Sequence, residues 1–352
     1  MSDAPPHPPP LPPGKTDSAV LISLPSGEMS RMKGKNVAVR LIWFIVLSAL
    51  LYFALRNAPL TEILQTLKQL QFWQIILLLI INVGIYALIT LRWWIIVRAE
   101  SRTVPYLPMV AVRVAVFGVS YFTLGPQVGG EPLQVLYLQR KYGLSYTRAT
   151  ASVFMDKLLE FLANFFLLGL GLTAILQAGI FSTNGNNSFV SLIGLVILFL
   201  WPPVHIFLMV RGVYPVSAIL RRFSNNKFVR FITASERMAG TFCRRHFRSL
   251  LAAIAVSVFA AMMMVSEYFF IMSFLQIDLF FSQTIAAWAA GWLAFLVPLP
   301  GGLGALEASQ VFALGAFGVA ASSAIGVTFL MRGRDLLIGG LGLLFAGHGV
   351  AK

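Results

Sequence analysis

Residues 298–307 read Pro-Leu-Pro-Gly-Gly-Leu-Gly-Ala-Leu-Glu and separate two apolar runs, 279–297 and 308–319. Proline and glycine both disfavour helix interiors, so the sequence predicts a broken helix here. Inside a bilayer, broken backbone is tolerated only where protein or a wet cavity satisfies its polar groups. A carboxylate, Glu307, ends the stretch. The pattern therefore predicts a re-entrant helical hairpin with an acid at its tip.

The composition is that of an all-α polytopic membrane protein. Of the 352 residues, 58% are hydrophobic and 11% are charged. Several apolar runs reach the roughly 20 residues that one span needs. The net charge of +14 does not indicate a nucleic-acid partner, because the basic residues fall in short loops between apolar runs, where they orient the chain and meet anionic headgroups. Cys243 is the only cysteine and the four histidines lack ligand spacing, so we expect no metal and no cofactor.

Composition divides the chain into four parts. Residues 1–36 are proline-rich and predict a disordered cytoplasmic tail. Residues 37–177 and 188–349 form two transmembrane segments, separated by an uncharged external loop, 178–187. Within the second segment, residues 211–248 hold nine Lys or Arg and one acid. We expect a cytoplasmic loop there, either an amphipathic surface helix on anionic headgroups or a plain basic loop.

The loop charges predict how the two segments thread the bilayer. Positive loops lie in the cytoplasm, which places both termini there. The basic stretches 92–113 and 140–148 then lie on the same side, so residues 105–138 must enter, turn at 125–132 and return. Each half becomes two spans, a re-entrant hairpin and a third span, in opposite orientations. This is an inverted-topology repeat, the architecture of many secondary transporters.

Charged side chains occur at apparent membrane depth, where each costs about 2.5–3.5 kcal/mol unless it is paired. Asp156 and Glu160 are four residues apart and share a helix face, and Lys157 precedes Glu160 by three. We read Glu131 and Glu307 as a pair at the two hairpin tips. A purely structural role as internal ion pairs is the alternative for all of these charges, and for Glu307 a role as a helix N-terminal partner.

Other charges in the apolar runs have simpler interpretations. Glu267 stands alone, and Arg113 is expected to snorkel. Arg92, with Trp93 and Trp94, is typical of an aromatic and basic interfacial end. Arg332 joins the intramembrane charges without an assigned partner.

The predicted site has two sets of residues. The residues for substrate binding and translocation are Glu131, Glu307, Asp156, Lys157, Glu160, Arg334 and Asp335. The residues that form the hairpin backbone are Gly129, Gly130, Pro300, Gly301, Gly302 and Gly304.

Three motifs carry a family resemblance. They are Gly-Gly-Glu-x-x-x-Val at 129–135, Arg-Ala-x-Ala-Ser-Val-x-x-Asp-Lys-Leu-Leu-Glu at 148–160, and Pro-x-Pro-Gly-Gly-Leu-Gly-x-x-Glu at 298–307. Together they resemble the flippase-like transmembrane region of lysylphosphatidylglycerol synthases and its stand-alone bacterial relatives. The resemblance implies a bacterial inner-membrane protein that moves a polar-headed or polyprenyl-linked lipid between leaflets. It maps the family's acids to Glu131, Asp156 and Glu307, and its last-helix arginine to Arg334.

The chain departs from the family in two places. Gln134 stands where a basic residue is common, so a headgroup-phosphate contact is not expected there. The chain ends at Lys352 without a soluble aminoacyl-transferase domain, so we expect that it does not make lysyl-lipid itself.

A lipid flippase, not an enzyme, is the interpretation that these features favour. The hairpins would meet near the midplane, where the charges line a groove for the headgroup. No nucleotide-binding motif is present, so the energy would come from ion gradients or lipid mass action. The alternatives are an ion-coupled small-solute transporter and an intramembrane polyprenyl-diphosphate phosphatase, although residues 300–304 offer that phosphatase no Ser, His or Arg. The expected partners are membrane lipids, a second copy of the chain and lipid-biosynthetic enzymes.

Overall fold

The computed structural model describes residues 70–123, 129–177, 200–223, 227–297 and 299–347, with the isolated positions 65, 68 and 196. All of them belong to one compact unit, Val46–Lys352. Three predicted parts lie outside the described residues: the tail 1–36, the external loop 178–187, and the first span that the apolar run at about 39–55 predicts. The described part is helical, as the composition predicts.

The helices are numbered here in chain order. They are α1 (Phe72–Glu100), α2 (Tyr106–Phe122), α3 (Glu131–Tyr142), α4 (Tyr146–Gln177), α5 (Leu200–Val210), α6 (Pro215–Phe223), α7 (Lys227–Arg245), α8 (Phe247–Phe274), α9 (Phe281–Ala294), α10 (Ala305–Gly315) and α11 (Ala321–Phe345). A short 3₁₀ turn, Pro300–Gly302, lies between α9 and α10.

Two of these helices, α1 and α8, are long and apolar enough to cross a membrane by length and composition. They have 29 and 28 residues, about 40 Å each at 1.5 Å per residue. The pair α5 and α6, bent by 93°, passes the same test together. Helices α4 and α11, with 32 and 25 residues, have spanning length but carry charged side chains. The apolar runs at about 72–97, 147–176, 250–275 and 320–347 predict long helices, and the structure has them to within a few residues.

The long helices pack in a crossed arrangement. Helices α1 and α8 lie against each other, α2 packs on α11, and α9 packs on α4. Small residues permit the two crossings. A Cβ added at Gly118 would lie 2.6 Å from the Gly339 carbonyl oxygen, and one added at Gly171 would lie 2.8 Å from the Ala286 Cα. Each helical hairpin, α2–α3 and α9–α10, thus packs against a helix that is distant in sequence.

The predicted break between α9 and α10 is present. Helix α9 ends at Ala294 and α10 begins at Ala305. Between them, Gly301, Gly302 and Gly304 adopt φ of +59°, +61° and +78°, a region that disfavours side chains with a Cβ. With 14 and 11 residues, α9 and α10 reach about 21 and 17 Å, which is less than the roughly 30 Å hydrocarbon core.

The basic segment 211–248 contains two helices, α6 and α7, so it is not a plain loop, and its contact with anionic headgroups stays a prediction. The arginine side chains that the structure describes in this segment are exposed. The apolar side of α7, including Phe242 and Cys243, is buried in a cluster with Met155 of α4 and Met209 of α5. The apolar side of α7 therefore faces protein and not lipid, whereas its basic side is exposed.

A buried acid fixes this pair of helices. Glu236 of α7 accepts hydrogen bonds from the Val216 and Ser217 backbone N–H groups at 3.0 and 2.6 Å, and from the Ser217 hydroxyl. His205 Nε2 lies 3.1 Å from its Oε1. Burial opposes ionisation of Glu236, but these hydrogen bonds outweigh it and lower its pKa below the ordinary value for glutamic acid. The carboxylate caps the first turn of α6.

Candidate functional site

A cavity of about 170 Å³ opens between α1, α2, α3, α4, α8, α9 and α11. Its apolar wall includes the aromatic rings of Trp288, Trp292 and Phe295. Its polar wall consists of Asn82, Tyr86, Arg113, Ser120, Glu131, Lys157, Glu160, Glu267, Tyr268, Arg334 and Asp335. Charged groups from five helices thus converge on one space, which is the arrangement expected of a polar binding site in an apolar protein.

The first group of charges, which we call the Asp156 group, is centred on that acid. Asp156 is fully buried and receives Arg92 Nε at 2.6 Å on Oδ1 and Arg113 Nη2 at 2.7 Å on Oδ2. Arg92 also reaches Glu160 at 3.1 Å. Arg92 is 2% exposed and Arg113 is 5% exposed, so the predictions of an interfacial Arg92 and a snorkelling Arg113 are wrong. Both guanidinium groups are buried with Asp156, because leaving this buried carboxylate unpaired would cost more free energy than burying its two partners.

Lys157 joins the Asp156 group to a hairpin. Its Nζ lies 3.4 Å from Glu160 and 3.5 Å from Glu131, at the start of α3. Glu131 also accepts a hydrogen bond from the Gly129 N–H at 2.7 Å. Gly130 is packed so tightly that an added Cβ would lie 2.2 Å from the Val116 carbonyl oxygen. The Asp156 group therefore has three bases and three acids and holds the start of α3 against α2 and α4.

The second group, the Glu307 group, holds the tip of the other hairpin. Arg332 binds Glu307 through Nε to Oε1 at 2.5 Å and Nη2 to Oε2 at 2.8 Å. It also donates to the carbonyl oxygens of Gly301 and Gly302. The Gly304 N–H donates to Glu307 at 2.9 Å. Glu307 is thus both an N-terminal helix partner and one half of an ion pair.

The third group, the Glu267 group, has two acids on one base. Arg334 Nη1 lies 2.7 Å from Glu267 Oε2, and its Nε and Nη2 both lie 2.8 Å from Asp335 Oδ1. Asn82 Nδ2 donates to Glu267 Oε1 at 2.6 Å. The expectation that Glu267 stands alone is therefore wrong.

The structure brings together most, but not all, of the predicted translocation residues. Five of them line the cavity: Glu131, Lys157, Glu160, Arg334 and Asp335. Asp156 lies behind the wall and holds two arginines in place. Among the described residues Glu307 is not part of the lining. Glu131 and Glu307 therefore occupy similar places on two hairpins without sharing a wall of this cavity.

Sequence reasoning left out several residues of these groups. Arg92, Arg113, Glu267 and Arg332 all take part, and the signal for each was a charge inside an apolar run. Asn82 carried no such signal. Gln134 is fully buried on α3, and its side-chain amide has no hydrogen-bond partner among the described residues. The described residues hold no group of three or more His, Cys, Asp or Glu that could bind a metal ion.

Long apolar helices, a broken hairpin and buried ion pairs around a cavity define a multi-pass membrane protein. The family model described as the lysylphosphatidylglycerol synthase TM region matches residues 38–342. The chain belongs to this family, and the resemblance that the three motifs indicated is confirmed. A search of curated proteins and a search of solved structures found no significant match.

Proposed function

We propose that the protein is a lipid flippase of the bacterial inner membrane, which moves a polar-headed or polyprenyl-linked lipid between leaflets. The observation that carries the proposal is the cavity, where charges from five helices meet inside a multi-pass membrane protein. A headgroup could exchange water for these charged groups there. The acyl chains would stay in lipid, beside the exposed apolar side chains of α1 and α8, such as Val83 and Phe259.

An inverted repeat supports transport, and the packing pattern supports the repeat. Exchanging α1–α4 with α8–α11 maps most of the contacts among these helices onto one another. The crossing of α2 with α11 becomes that of α9 with α4. The contacts within the hairpin α2–α3 become those within α9–α10, and α3 on α4 becomes α10 on α11. The pair α1 and α8 maps onto itself, as two helices beside a pseudo-two-fold axis would.

Charged residues also occupy corresponding positions in the two halves of the chain. Lys157 and Arg332 are 175 positions apart, as are Glu160 and Asp335, whereas Glu131 and Glu307 are 176 apart. In each half, an acid in the first turn of the second hairpin helix pairs with a base of the third span. Arg92 of α1 and Glu267 of α8 are also 175 apart, with reversed charge, and each contacts the third span of its own half.

The proposed topology places the hairpins α2–α3 and α9–α10 as re-entrant segments from opposite sides. Both termini and the helices α6 and α7 are cytoplasmic. The exposed arginines of α6 and α7 would then meet anionic headgroups, each contributing about 1 kcal/mol. This orientation follows the loop charges and keeps the short hairpin helices from having to cross the bilayer.

Reconstitution tests the proposal directly. Purified protein in vesicles of phosphatidylglycerol and phosphatidylethanolamine should speed the leaflet exchange of a fluorescent phosphatidylglycerol or a fluorescent polyprenyl phosphate. Lys157→Met should slow it at least tenfold, because Glu131 and Glu160 of the cavity wall lose their shared base. Glu100→Gln, which removes an acid at the end of α1 outside the cavity wall, is the matched control. Exchange no faster than in protein-free vesicles, for both lipids, contradicts the proposal.

The small cavity favours one alternative, an ion-coupled transporter of small solutes. A volume of about 170 Å³ is below the usual range of about 300–1,000 Å³ for ligand pockets, so it suits a headgroup fragment or a small solute. Uptake of radiolabelled amino acids and sugars into the same vesicles separates the two functions. Solute uptake without lipid exchange favours the alternative.

A further inference from the structure

The buried charges balance in two of the three groups. The Asp156 group has three bases and three acids, and the Glu307 group has one of each. The Glu267 group has one base, Arg334, between two acids, Glu267 and Asp335. The excess of one negative charge is therefore confined to the Glu267 group. Both acids are at least 95% buried, where an uncompensated charge is costly.

The hydrogen bonds show which carboxylate is incompletely satisfied. Glu267 uses both oxygens, one for Asn82 and one for Arg334. Asp335 receives both Arg334 nitrogens on Oδ1, and its Oδ2 accepts no hydrogen bond from the described residues. Asp335 also lines the cavity. A free carboxylate oxygen thus lies at the wall of a cavity beside a group with excess negative charge.

A second unpaired group belongs to the apolar wall of the same cavity. Trp292 of α9 lines the cavity, is 5% exposed, and has no hydrogen-bond partner for its indole Nε1 among the described residues. Buried polar groups are normally paired. An unpaired donor and an unpaired acceptor among the residues that line the cavity indicate that it receives a ligand with hydrogen-bonding capacity.

We propose that Asp335 binds one proton from the cavity, and that this protonation couples lipid movement to a transmembrane proton gradient. The coupling rests on the proposed lipid transport. A hydronium ion in the cavity gives up its proton: one of its O–H bonds breaks, an O–H bond forms at Asp335 Oδ2, and a water molecule remains. This proton transfer neutralises the Glu267 group. When the cavity faces the other side, the Asp335 O–H bond breaks and the proton passes to water there. Arg334 stays bound to Glu267 in both states.

The surroundings favour a proton over an alkali cation. A proton needs one free lone pair, whereas a hard metal cation needs a shell of several oxygens. Apart from the carboxylates, the side chains of the wall add the oxygens of Asn82, Tyr86, Ser120 and Tyr268. Tyr268 already donates to Gln310, and Ser120 accepts from the Gly130 N–H. Few oxygens are therefore left for a metal ion.

Other charged and titratable groups face the Glu267 group. From the remaining elements around the cavity they are Tyr86 of α1, Arg113 of α2, Glu131 of α3, Lys157 and Glu160 of α4, and Tyr268 of α8. Arg332 of α11 and Tyr121 of α2 also lie near Asp335. Each of the bases among them already has an acid partner, since Arg113 binds Asp156, Lys157 binds Glu160 and Arg332 binds Glu307. None supplies the missing positive charge.

Proton uptake tests the site without any transport assay. Purified full-length protein in detergent is brought from about pH 8 to about pH 5.5, a window above the ordinary aspartate pKa of about 3.9, and bound protons are counted with an indicator dye. Asp335→Asn should bind one proton per chain fewer than the wild type. Glu267→Gln also removes the excess charge and should lose the same proton. Asp278→Asn, at an exposed position outside the cavity wall, should match the wild type. Equal uptake by wild type and both cavity variants overturns the proposal.

A gradient experiment tests the coupling. In the vesicles described above, with the membrane potential clamped at zero, a pH gradient should drive the labelled lipid towards one leaflet, up to about tenfold per pH unit for one proton per lipid. A protonophore or Asp335→Asn should restore an equal distribution. Equal distribution in the wild type under the gradient overturns the coupling but leaves a flippase. A response to a sodium gradient at constant pH overturns the choice of proton.

The two proposals fail separately. If no lipid moves in any vesicle, the proposed function is wrong, and the count of bound protons still decides whether Asp335 is a proton site. A single proton lost in both cavity variants then supports a proton-coupled carrier of another substrate. Gel-filtration profiles of each variant identify any that fails to fold.

Discussion

Arg332 and Glu307 form a two-point ion pair, with Nε to Oε1 at 2.5 Å and Nη2 to Oε2 at 2.8 Å, across the tip of a helical hairpin. The same guanidinium reaches the carbonyl oxygens of Gly301 and Gly302. One side chain of α11 thus satisfies both the acid and the broken backbone of the hairpin. This is how an irregular turn is kept inside a helical protein.

Removing Arg332 should therefore destabilise the protein strongly. Arg332→Met leaves Glu307 and two carbonyl oxygens unpaired, and the loss of one partner of a buried pair costs about 3–5 kcal/mol. Arg332→Lys keeps the charge but not the two-point geometry, so we expect a smaller loss. The midpoint of thermal unfolding in detergent measures both. Arg248→Met, at an exposed position, is the control, and equal midpoints for the three variants would contradict this account.

Charge balance, and not any single contact, should govern the Asp156 group. Asp156→Asn leaves Arg92 and Arg113 facing each other without their shared acid and should cost about 3–5 kcal/mol. Adding Arg113→Met to it removes one surplus charge and should recover part of that loss. The double variant should then unfold at a higher temperature than Asp156→Asn alone. Additive effects of the two substitutions would show that the residues do not interact.

Glycine at the crossing of α2 and α11 should be essential for packing. A Cβ added at Gly342 would lie 2.2 Å from the Val114 carbonyl oxygen. Gly342→Ala must therefore push the helices apart, at about 1–3 kcal/mol. Gly340, two residues earlier, is the matched control, since a Cβ added there meets nothing within 4 Å. Gly340→Ala should keep or raise the unfolding midpoint, because alanine favours helix, and equal losses at both positions would be the contrary result.

Docking of α6 on α7 should weaken in acid. The hydrogen bonds from His205 and Ser217 outweigh burial and lower the pKa of Glu236, so its contribution is complete above the unfolded pKa of about 4.3. That contribution is lost as the pH falls towards and through the lower folded value. Hydrogen exchange at the Val216 and Ser217 amides should therefore rise, after correction for intrinsic rates, between about pH 5 and 3. Glu236→Gln should exchange faster at neutral pH with a flatter profile, and identical profiles would exclude Glu236 as the cap.

The sequence was sufficient for the helices but not for the ion pairs. The bounds of α1, α4, α8 and α11 follow from long apolar runs, and the break before α10 follows from Pro300 and its glycines. The sequence did not predict which of Arg332 and Arg334 faces the hairpin tip and pairs with Glu307. The two residues are about 200° apart around the helix, so only one can face the hairpin tip. Which one does depends on the rotation of α11 in the packed structure, and pattern alone carries no information about that rotation.

The sequence also did not predict which charges pair between distant helices. Arg92 resembled an interfacial residue because it adjoins two tryptophans and precedes Arg98. Its inward position depends on Asp156, which is 64 residues away on a helix whose approach is not encoded locally.

The crossing of α2 with α11 also sets an order of events during synthesis. From the end of α2 at Phe122 to the start of α11 at Ala321, the chain runs 199 positions. At about 5–20 residues per second, that interval lasts roughly 10–40 s. During this interval, the face of α2 that contains Gly118 has no α11 to pack against. The site on α2 where α11 packs therefore stays unoccupied in the nascent chain until α11 has been synthesised, and the two helices can pack only after that.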